Sequence, residues 1–393
     1  MADPEEGMPH HNKPPRRQFD STRAPSYSWR STFTIRWEKS MFLRNAWYVA
    51  AWASELTGGQ LLARTICGDP VVFWCDQSGK VGAVEDRCCH RLFPLSKGTV
   101  QGDFIKCGYH GFEYDCTGKC VLIPSQREIP KNARVRHYAV VERHSVVFIW
   151  MGDAATADMA KIPELPTSDP QFGWKGARYY VRGNYELIIE NLLDLTHLTF
   201  VHASTIGNYA LIDSPVVKTE RWEREVQVSR WMMNSDPPPT YVKAGNFTGK
   251  VDRWQIIRWA EPSVVRLWTG AAPHGQNARG KIAPHGAPEG GKLGGIGFFN
   301  LNLITPETEK TTHYFWAQGQ DMQPKNQAMT DMVFGQIEMA FTQDWEVFEL
   351  QQMRMDQAPG RARVDVGGDA GGIQAINILR RSIEAEKTLR VAA

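Results

Sequence analysis

Two short runs of cysteine and histidine, Cys88-Cys89-His90 and Cys107-Gly108-Tyr109-His110, constrain this chain more than any other feature of its sequence. Each run offers one thiolate and one imidazole at close spacing. In a Rieske [2Fe–2S] centre, two cysteines bind one iron atom and two histidines replace cysteines on the other. The two runs therefore predict such a centre, which relays single electrons, with the ligands Cys88, His90, Cys107 and His110.

Zinc is the alternative occupant of this ligand set, because two cysteines and two histidines can also bind zinc tetrahedrally. Zinc motifs usually pair Cys with Cys and His with His, whereas each run here mixes the two residue types. Gly108 and Gly111 would let backbone N–H groups approach the cluster sulfurs, and Asp115-Cys116-Thr117-Gly118 is typical of a hairpin turn. Ligands presented by turns between short strands predict a β-sandwich.

The seven cysteines are odd in number and irregular in spacing, which argues against a disulfide framework. Cys89 has no obvious partner beside the predicted ligands. This cysteine usage indicates a reducing, cytoplasmic compartment. Lys and Arg number 45 and Asp and Glu number 43, so the charge does not indicate a nucleic-acid partner. No apolar run approaches the length that a membrane span requires.

At 393 residues, the chain is long enough for two domains with full cores. Residues 1–40 hold several prolines in a polar mixture without apolar periodicity, which predicts a disordered extension and a natural start at Met41. Residues 41–155 contain short β-branched and aromatic runs, which predict the cluster domain. A proline-rich connector covers residues 153–170, and residues 156–393 are predicted to form a catalytic domain.

The apolar spacing of residues 185–202 predicts a helix, and no Pro or Gly interrupts it. Asn191, Asp194 and His197 follow one another in steps of three, so we expect them on one side of this helix. The helix must then end or distort between His197 and His202 for both histidines to reach one metal. Two histidines and a carboxylate form the facial triad of non-haem Fe(II) oxygenases. Two satisfied core histidines are the alternative, and the upstream cluster motif favours the metal site.

The carboxylate of this triad must come from another part of the chain. Residues 325–353 follow a helical pattern, and Asp344 lies within its apolar face, where an unpaired acid is costly. Glu346 and Glu349 are competitors that we expect to be solvated, so Asp344 is the predicted third ligand of a mononuclear Fe(II). Residues 215–320 alternate in the manner of strands, which predicts an α+β fold with a curved antiparallel sheet gripping a long helix.

Several longer segments make the chain resemble the Rieske non-haem iron aromatic oxygenases, and within them the vanillate O-demethylase branch. The resemblance covers nearly everything from Met41 onwards and is carried by Asn45-Ala46-Trp47-Tyr48, Asn191-Leu192-Leu193-Asp194-Leu195-Thr196-His197, Val201-His202-Ala203-Ser204, Asp252-Arg253-Trp254-Gln255-Ile256, Ile304-Thr305-Pro306-Glu307 and Tyr314-Phe315-Trp316. It implies that the four cluster residues bind [2Fe–2S] and that His197, His202 and Asp344 bind iron. It also implies that Asp194 hydrogen-bonds His197 and a cluster histidine of a neighbouring subunit. Asn191 is a second catalytic candidate.

The resemblance further implies a homotrimer in which electrons cross the subunit interface. A separate flavin and iron–sulfur reductase would supply these electrons from NAD(P)H. The expected reaction is O₂-dependent hydroxylation of an aryl methoxy group, whose product collapses to a phenol and formaldehyde. The alternatives are oxidation of an N-methyl, aryl-methyl or sulfonated arene, dihydroxylation of a ring, and a non-enzymatic electron carrier that lacks the second iron site.

Departures from the family pattern concern the cluster and the substrate pocket. Cys89 stands where the family usually has proline. Asn302 and Leu267 stand where dicamba-type members of the family have a histidine and an asparagine, so a polar clamp of that type is not expected. Asn302, Trp268 and Arg258 are the candidates for contact with a small aromatic substrate, and a structural role is the alternative for Arg258.

Overall fold

The computed structural model of the protein describes residues 41–213, 216–276 and 295–391. The predicted disordered extension, residues 1–40, lies outside the described residues, as does part of the segment expected to alternate as strands. Of the helices in the described ranges, none combines the length and the apolarity that crossing a bilayer requires.

Short strands form the part of the chain that contains both cysteine–histidine runs. They are β1 (Trp47–Trp52), β2 (Leu62–Ile66), β3 (Asp69–Cys75), β4 (Val81–Glu85), β5 (Thr99–Gln101), β6 (Phe104–Lys106), β7 (Glu113–Tyr114), β8 (Cys120–Leu122), β9 (Val140–Arg143) and β10 (Val146–Trp150). They pair in the orders β2-β3-β4, β5-β6-β7-β8 and β1-β10-β9. The predicted turn at Asp115 joins β7 to β8, with Gly118 at a φ of 73°. The predicted strand-rich character of this part is confirmed.

A second, larger antiparallel sheet follows. Its strands are β11 (Gly173–Val181), β12 (Val216–Arg221), β13 (Glu225–Ser235), β14 (Val251–Ala260), β15 (Val264–Pro273), β16 (Ile296–Thr308) and β17 (Thr311–Gln320). Within the described residues they pair in the order β11-β17-β16-β15-β14-β13-β12. The helices around this sheet are α1 (Tyr185–Leu193), α2 (Leu198–Val201), α3 (Ala210–Asp213), α4 (Pro239–Gly245), α5 (Gln327–Gln357) and α6 (Ala370–Val391).

The long helix α5 is the one that the sequence predicts over residues 325–353. It begins after Asn326, whose side-chain oxygen accepts a hydrogen bond from the backbone N–H of Met329 at 3.2 Å. Its buried face packs against β11 and β17, which confirms a sheet that grips a helix. The sequence reading missed α6, although Ile376, Leu379 and Ile383 are spaced as a buried helical stripe.

The strand-rich part and the sheet-and-helix part share one packed interior. A single apolar cluster contains Tyr48 and Phe73 from the first part and Tyr314 from the second. Backbone hydrogen bonds cross between the parts, for example from the N–H of Cys67 to the carbonyl of Pro306 at 2.8 Å. The domain boundary near residue 155 stays a prediction, since packing is continuous across it.

Asp69, at the start of β3, holds together segments that are distant in sequence. Its Oδ2 accepts hydrogen bonds from Arg44 at 2.7 Å, Arg136 at 2.8 Å and Tyr138 at 3.3 Å. We expect Asp69→Ala to lower the free energy of unfolding by about 3 kcal/mol, because it leaves two largely buried guanidinium groups without this carboxylate. Urea denaturation followed by circular dichroism measures the effect. Exposed Glu128→Ala is the control, and an equal loss in both variants would contradict the role of Asp69.

Candidate metal centres and substrate cavity

The two cysteine–histidine runs form loops with the same hydrogen-bond pattern. After β4, the N–H of Cys88 donates to the carbonyl of Phe93 at 2.9 Å, and the N–H of Leu92 donates to the carbonyl of Cys88 at 2.9 Å. After β6, Cys107 N–H donates to the carbonyl of Phe112 at 2.8 Å, and Gly111 N–H to the carbonyl of Cys107 at 3.0 Å. Leu92 and Gly111 occupy the same place in their loops, and both have a positive φ.

These paired loops bring the four predicted cluster residues together at one end of the strand-rich part. Cys88 and Cys107 are 2% and 3% exposed, whereas His90 and His110 are exposed and their ring centroids lie 4.5 Å apart. This donor set suits a Rieske cluster, because Cys88 and Cys107 would hold one iron and His90 and His110 would hold the other. The donor set therefore fits [2Fe–2S].

Tyr114 contacts the cysteines of this site and was not predicted from the sequence. Its hydroxyl lies 3.0 Å from the Sγ of Cys88 and 3.2 Å from the Sγ of Cys89. Burial raises the pKa of Tyr114, so its hydroxyl remains a donor at neutral pH. Hydrogen bonds to cluster sulfurs are among the features that set the reduction potential of such a centre. Burial also raises the pKa of Cys89, which keeps this additional cysteine a neutral thiol.

The chain leaves α1 earlier than the sequence predicts. The helix ends at Leu193, and Asp194 has an extended backbone with φ −115° and ψ 106°. The carboxylate of Asp194 accepts hydrogen bonds from Thr196, from its backbone N–H at 3.0 Å and from its hydroxyl at 2.8 Å. Such a local bond competes with helix formation. The predicted distortion therefore lies before His197 rather than between the two histidines, and Asp194 and His197 do not share a helix face with Asn191.

The break places both histidines against a carboxylate of α5. Nε2 of His202 lies 3.1 Å from Oδ1 of Asp344, and Nε2 of His197 lies 3.5 Å from the same oxygen. Asp344 is 5% exposed, in agreement with its predicted place in the apolar face. Glu346 is exposed, as expected, and Glu349 is partly buried. His197, His202 and Asp344 form a group that could hold a metal ion, with one ligand atom from each within 4.8 Å of the others.

The other ring nitrogen of each histidine is bound to an oxygen. Nδ1 of His197 donates to the backbone carbonyl of Asp194 at 2.7 Å, and Nδ1 of His202 donates to the side-chain oxygen of Gln343 at 2.8 Å. These bonds orient the rings and leave both Nε2 atoms available as ligands. Two imidazole nitrogens and one carboxylate that face the same point fit a non-haem iron ion.

The charges at this site favour an ionised carboxylate. Burial acts to raise the pKa of Asp344, but hydrogen bonds from His197 and His202 outweigh it and lower the pKa to about 2. Burial likewise opposes the charged form of His202, and the bond to Asp344 outweighs it, so the pKa of His202 is raised.

Asn191 and Asp194 lie beside the triad in different ways. Nδ2 of Asn191 is 3.3 Å from Oδ1 of Asp344, and its own Oδ1 is buried without a partner. The hydrogen bond between Asp194 and His197 that the resemblance implies is present, and it is accepted by the backbone carbonyl of Asp194 rather than by its carboxylate. The carboxylate instead lies in a surface cleft that includes Asp365, with Arg230 4.0 Å away.

A mainly apolar cavity borders the triad. Its apolar walls are formed by Leu192, Leu195, Leu198, Ile206, Leu267, Phe298, Ile337 and Phe341. Polar side chains line the rest of the cavity: Asn191, Tyr241, Arg253, Gln255, Thr269, Asn300 and Gln318. Apolar walls of this kind accept a flat apolar ring, and the polar side chains orient it.

The three predicted substrate contacts lie outside this cavity. Leu267 and Thr269 line it, so Trp268 between them faces the other side of β15 and packs on Phe299 with ring centroids 4.0 Å apart. Arg258 pairs with Glu225, in agreement with the structural alternative.

Asn302 is fully buried and donates a hydrogen bond to Asn300 at 2.7 Å. It therefore supports a lining residue rather than contacting a ligand itself. The expectation that Asn302, Trp268 and Arg258 line the pocket is corrected accordingly.

The polar lining residues Arg253, Gln255, Asn300 and Gln318 were missed as pocket residues in the sequence. Each is a polar residue in a strand of the large sheet whose neighbours are mostly apolar. Burying a polar side chain in a strand costs free energy unless the group has a partner. A polar residue in an otherwise apolar strand could therefore have been predicted to face a ligand.

Comparison with known proteins agrees with both sites. Residues 46–138 match the Rieske [2Fe-2S] domain, and residues 181–385 match the vanillate O-demethylase oxygenase C-terminal domain. The iron–sulfur subunit of the toluene-4-sulfonate monooxygenase system of Comamonas testosteroni is 37% identical over 350 residues, which are 88% of this chain and 98% of that protein. The vanillate O-demethylase oxygenase subunit of a Pseudomonas species is 36% identical over 360 residues, covering 90% and 98%.

A solved structure shows the same fold. Dicamba monooxygenase bound to 3,6-dichlorosalicylic acid superimposes with a TM-score of 0.80 at 29% identity, covering 88% of this chain and 99% of that chain. Another structure of that enzyme contains a non-haem iron. The cofactors of this chain are a Rieske [2Fe–2S] cluster and a mononuclear iron. The chain therefore belongs, as its motifs predict, to the Rieske non-haem iron oxygenases, with a catalytic domain of the vanillate O-demethylase type.

Proposed function

We propose that this oxygenase removes the methyl group of a methoxylated aromatic acid such as vanillate and releases formaldehyde. The observation that carries the proposal is the juxtaposition of the His197, His202 and Asp344 group with a cavity whose walls are mainly apolar. A ring held in that cavity would place a substituent beside the metal. The match to the vanillate O-demethylase C-terminal domain supports this substrate class.

The overall reaction consumes one O₂, two electrons and two protons for each methoxy group. One oxygen atom enters a C–H bond of the methyl carbon, and the other leaves as water. The resulting hemiacetal collapses to a phenol and formaldehyde, with the O–CH₂ bond broken. The mononuclear iron supplies the activation of O₂ when it is bound, and the cluster supplies single electrons.

The protein's own side chains position these partners. His197, His202 and Asp344 would hold the mononuclear iron, and Gln343 fixes the ring of His202 through its amide oxygen. The apolar walls orient the ring of the substrate and exclude water from the reacting carbon. Cys88, His90, Cys107 and His110 would hold the cluster.

The proposed assembly is a homotrimer supplied with electrons by a flavin and iron–sulfur reductase that oxidises NAD(P)H. In support, the exposed rings of His90 and His110 are available to a second subunit. The carboxylate of Asp194 lies in a surface cleft on the catalytic side of the chain. An electron would pass from the cluster of one subunit to this cleft of the next. The seven free cysteines support a reducing compartment such as the cytoplasm.

A second candidate is hydroxylation of the methyl group of a sulfonated arene such as toluene-4-sulfonate. The relative from Comamonas testosteroni that acts on this compound is 37% identical over nearly its whole length, which favours the candidate specifically. The product would be a benzylic alcohol and no formaldehyde would form. Ring dihydroxylation would give a cis-diol, again without formaldehyde.

The test is product analysis with vanillate, O₂, NADH and a vanillate-demethylase-type reductase. We expect one formaldehyde and one protocatechuate for each NADH consumed. A parallel reaction with toluene-4-sulfonate reports 4-sulfobenzyl alcohol. Formation of that alcohol with no formaldehyde from vanillate would replace O-demethylation by the second candidate, and oxidation of neither compound would contradict both.

A further inference from the structure

A buried arginine lies in the wall of the substrate cavity. Arg253, on β14, is 1% exposed, and it lines the same cavity as the His197, His202 and Asp344 group. Its guanidinium carbon lies 4.7 Å from the centre of the Tyr241 ring. No other arginine or lysine of the described residues lines this cavity.

The hydrogen bonds of Arg253 go only to neutral acceptors. One terminal nitrogen donates to the carbonyl of Ile206 at 2.8 Å, and the other lies 3.4 Å from the side-chain oxygen of Asn208. Its Nε is buried without a partner. Within the described part of the chain, no carboxylate lies within 4.0 Å of this guanidinium. A guanidinium has five N–H donors, so several remain free for a ligand.

Two other arginines of the same sheet have a carboxylate nearby. Arg258, on the opposite face of β14, pairs with Glu225. Arg230, which is also buried, has the carboxylate of Asp194 4.0 Å away. Arg253 differs from these two in having only neutral acceptors while it lines the cavity.

An arginine remains protonated in a protein, and a buried charge is costly unless an opposite charge compensates it. We propose that Arg253 binds the anionic group of the substrate and thereby makes the enzyme selective for aryl acids. The inference rests on the proposed function for the reaction, but it concerns recognition. The shared chemistry is a negatively charged group attached directly to an arene, either a carboxylate or a sulfonate.

The neighbours of Arg253 suit such a ligand. Gln255 follows it on the same face of β14, is buried, and has a side-chain oxygen without a partner. That oxygen can accept a hydrogen bond from a ring hydroxyl. Leu267 and Phe298 provide apolar surface for the ring in the same cavity. The carboxylate of Asp344 belongs to the metal site, so the cavity offers opposite charges for the metal and for the acid.

The test uses matched pairs of acid and neutral ligand: vanillate with vanillamide, and toluene-4-sulfonate with toluene-4-sulfonamide. Anaerobic titration of the holoenzyme gives each Kd without turnover. We expect at least one acid to bind the unmodified enzyme about 100-fold more tightly than its amide. We expect Arg253→Gln to weaken binding of that acid about 100-fold and to change binding of the amide less than about threefold. Arg258→Gln, the same substitution outside the cavity, should retain the values of the unmodified enzyme.

The unmodified enzyme alone can overturn the proposal. Equal affinity for acid and amide in both pairs would do so, and this comparison remains decisive if Arg253→Gln fails to fold. A folded Arg253→Gln variant that binds the acid normally would also overturn it. The Kd values of vanillate and toluene-4-sulfonate then show whether the site prefers a carboxylate or a sulfonate.

The two proposals fail separately. Acid selectivity that depends on Arg253, without formaldehyde or alcohol, would contradict the proposed reaction and leave the inference standing. Demethylation of vanillate together with equal Kd values for acid and amide would support the proposed reaction and contradict the role of Arg253.

Discussion

Asp344→Asn is expected to remove the mononuclear iron and leave the cluster intact, so the iron content should fall from about three to about two atoms per chain. The replacement keeps the size of the side chain but removes the negative charge that lies 3.1 Å from His202 and 3.5 Å from His197. Product formation should fall at least about 1,000-fold, because the metal performs the oxidation. Iron analysis, the visible spectrum of the cluster and the formaldehyde assay measure the three effects.

Glu346→Gln is the matched control for this variant. It removes a carboxylate two residues further along α5, where the side chain is exposed. We expect this control to keep its full iron content and activity. Retention of all iron by Asp344→Asn would show that the third ligand is a different residue, and loss of the cluster spectrum as well would indicate general misfolding.

Asp194→Asn is expected to keep both metals and to lower formaldehyde production at least about 100-fold. Asparagine can still accept the hydrogen bond from the backbone N–H of Thr196, and the backbone carbonyl that binds His197 is unchanged. The lost feature is therefore the charge in the surface cleft. Stopped-flow mixing of the reduced enzyme with substrate and O₂ should show that the cluster is no longer reoxidised at its normal rate.

Asp365→Asn removes another carboxylate that lines the same cleft and serves as the control. In the Asp365→Asn variant the cluster should be reoxidised at its normal rate if electron transfer depends on the position of Asp194 and not on the total charge of the cleft. Unchanged turnover in Asp194→Asn would contradict a role in electron transfer. Loss of iron in that variant would instead indicate that the carboxylate supports the metal site through the chain around His197.

The sequence predicts those parts of the fold and of the site that depend on residues close together in the chain. The cluster loops are short motifs, and the Cys and His pairing within each of them predicts the ligand set. Asp344 stands out because an acid in an apolar helical face requires a partner. The long helix and the strands have clear periodicity, so their types follow from the pattern.

The missed features depend on contacts between distant segments. Trp268 and Leu267 are adjacent, and only the pairing of β15 within the sheet decides which of them faces the cavity. The early end of α1 depends on a side-chain bond of Asp194 that competes with a strongly helical pattern. Arg253 can be identified as a ligand-binding candidate only when its lack of a carboxylate partner is visible.

The shared interior of the two parts limits how this enzyme can be recombined. Thr305 of the large sheet donates a hydrogen bond to the carbonyl of Val49 at 2.7 Å, and the N–H of Arg44 donates to Glu386 of α6 at 2.8 Å. A chimera that takes its electron-transfer module from one relative and its oxygenase module from another would therefore join two halves of one core. We expect such an exchange to disrupt these contacts unless the contact residues of both halves come from the same parent, so new substrate ranges are better sought by changing the cavity wall within a single chain.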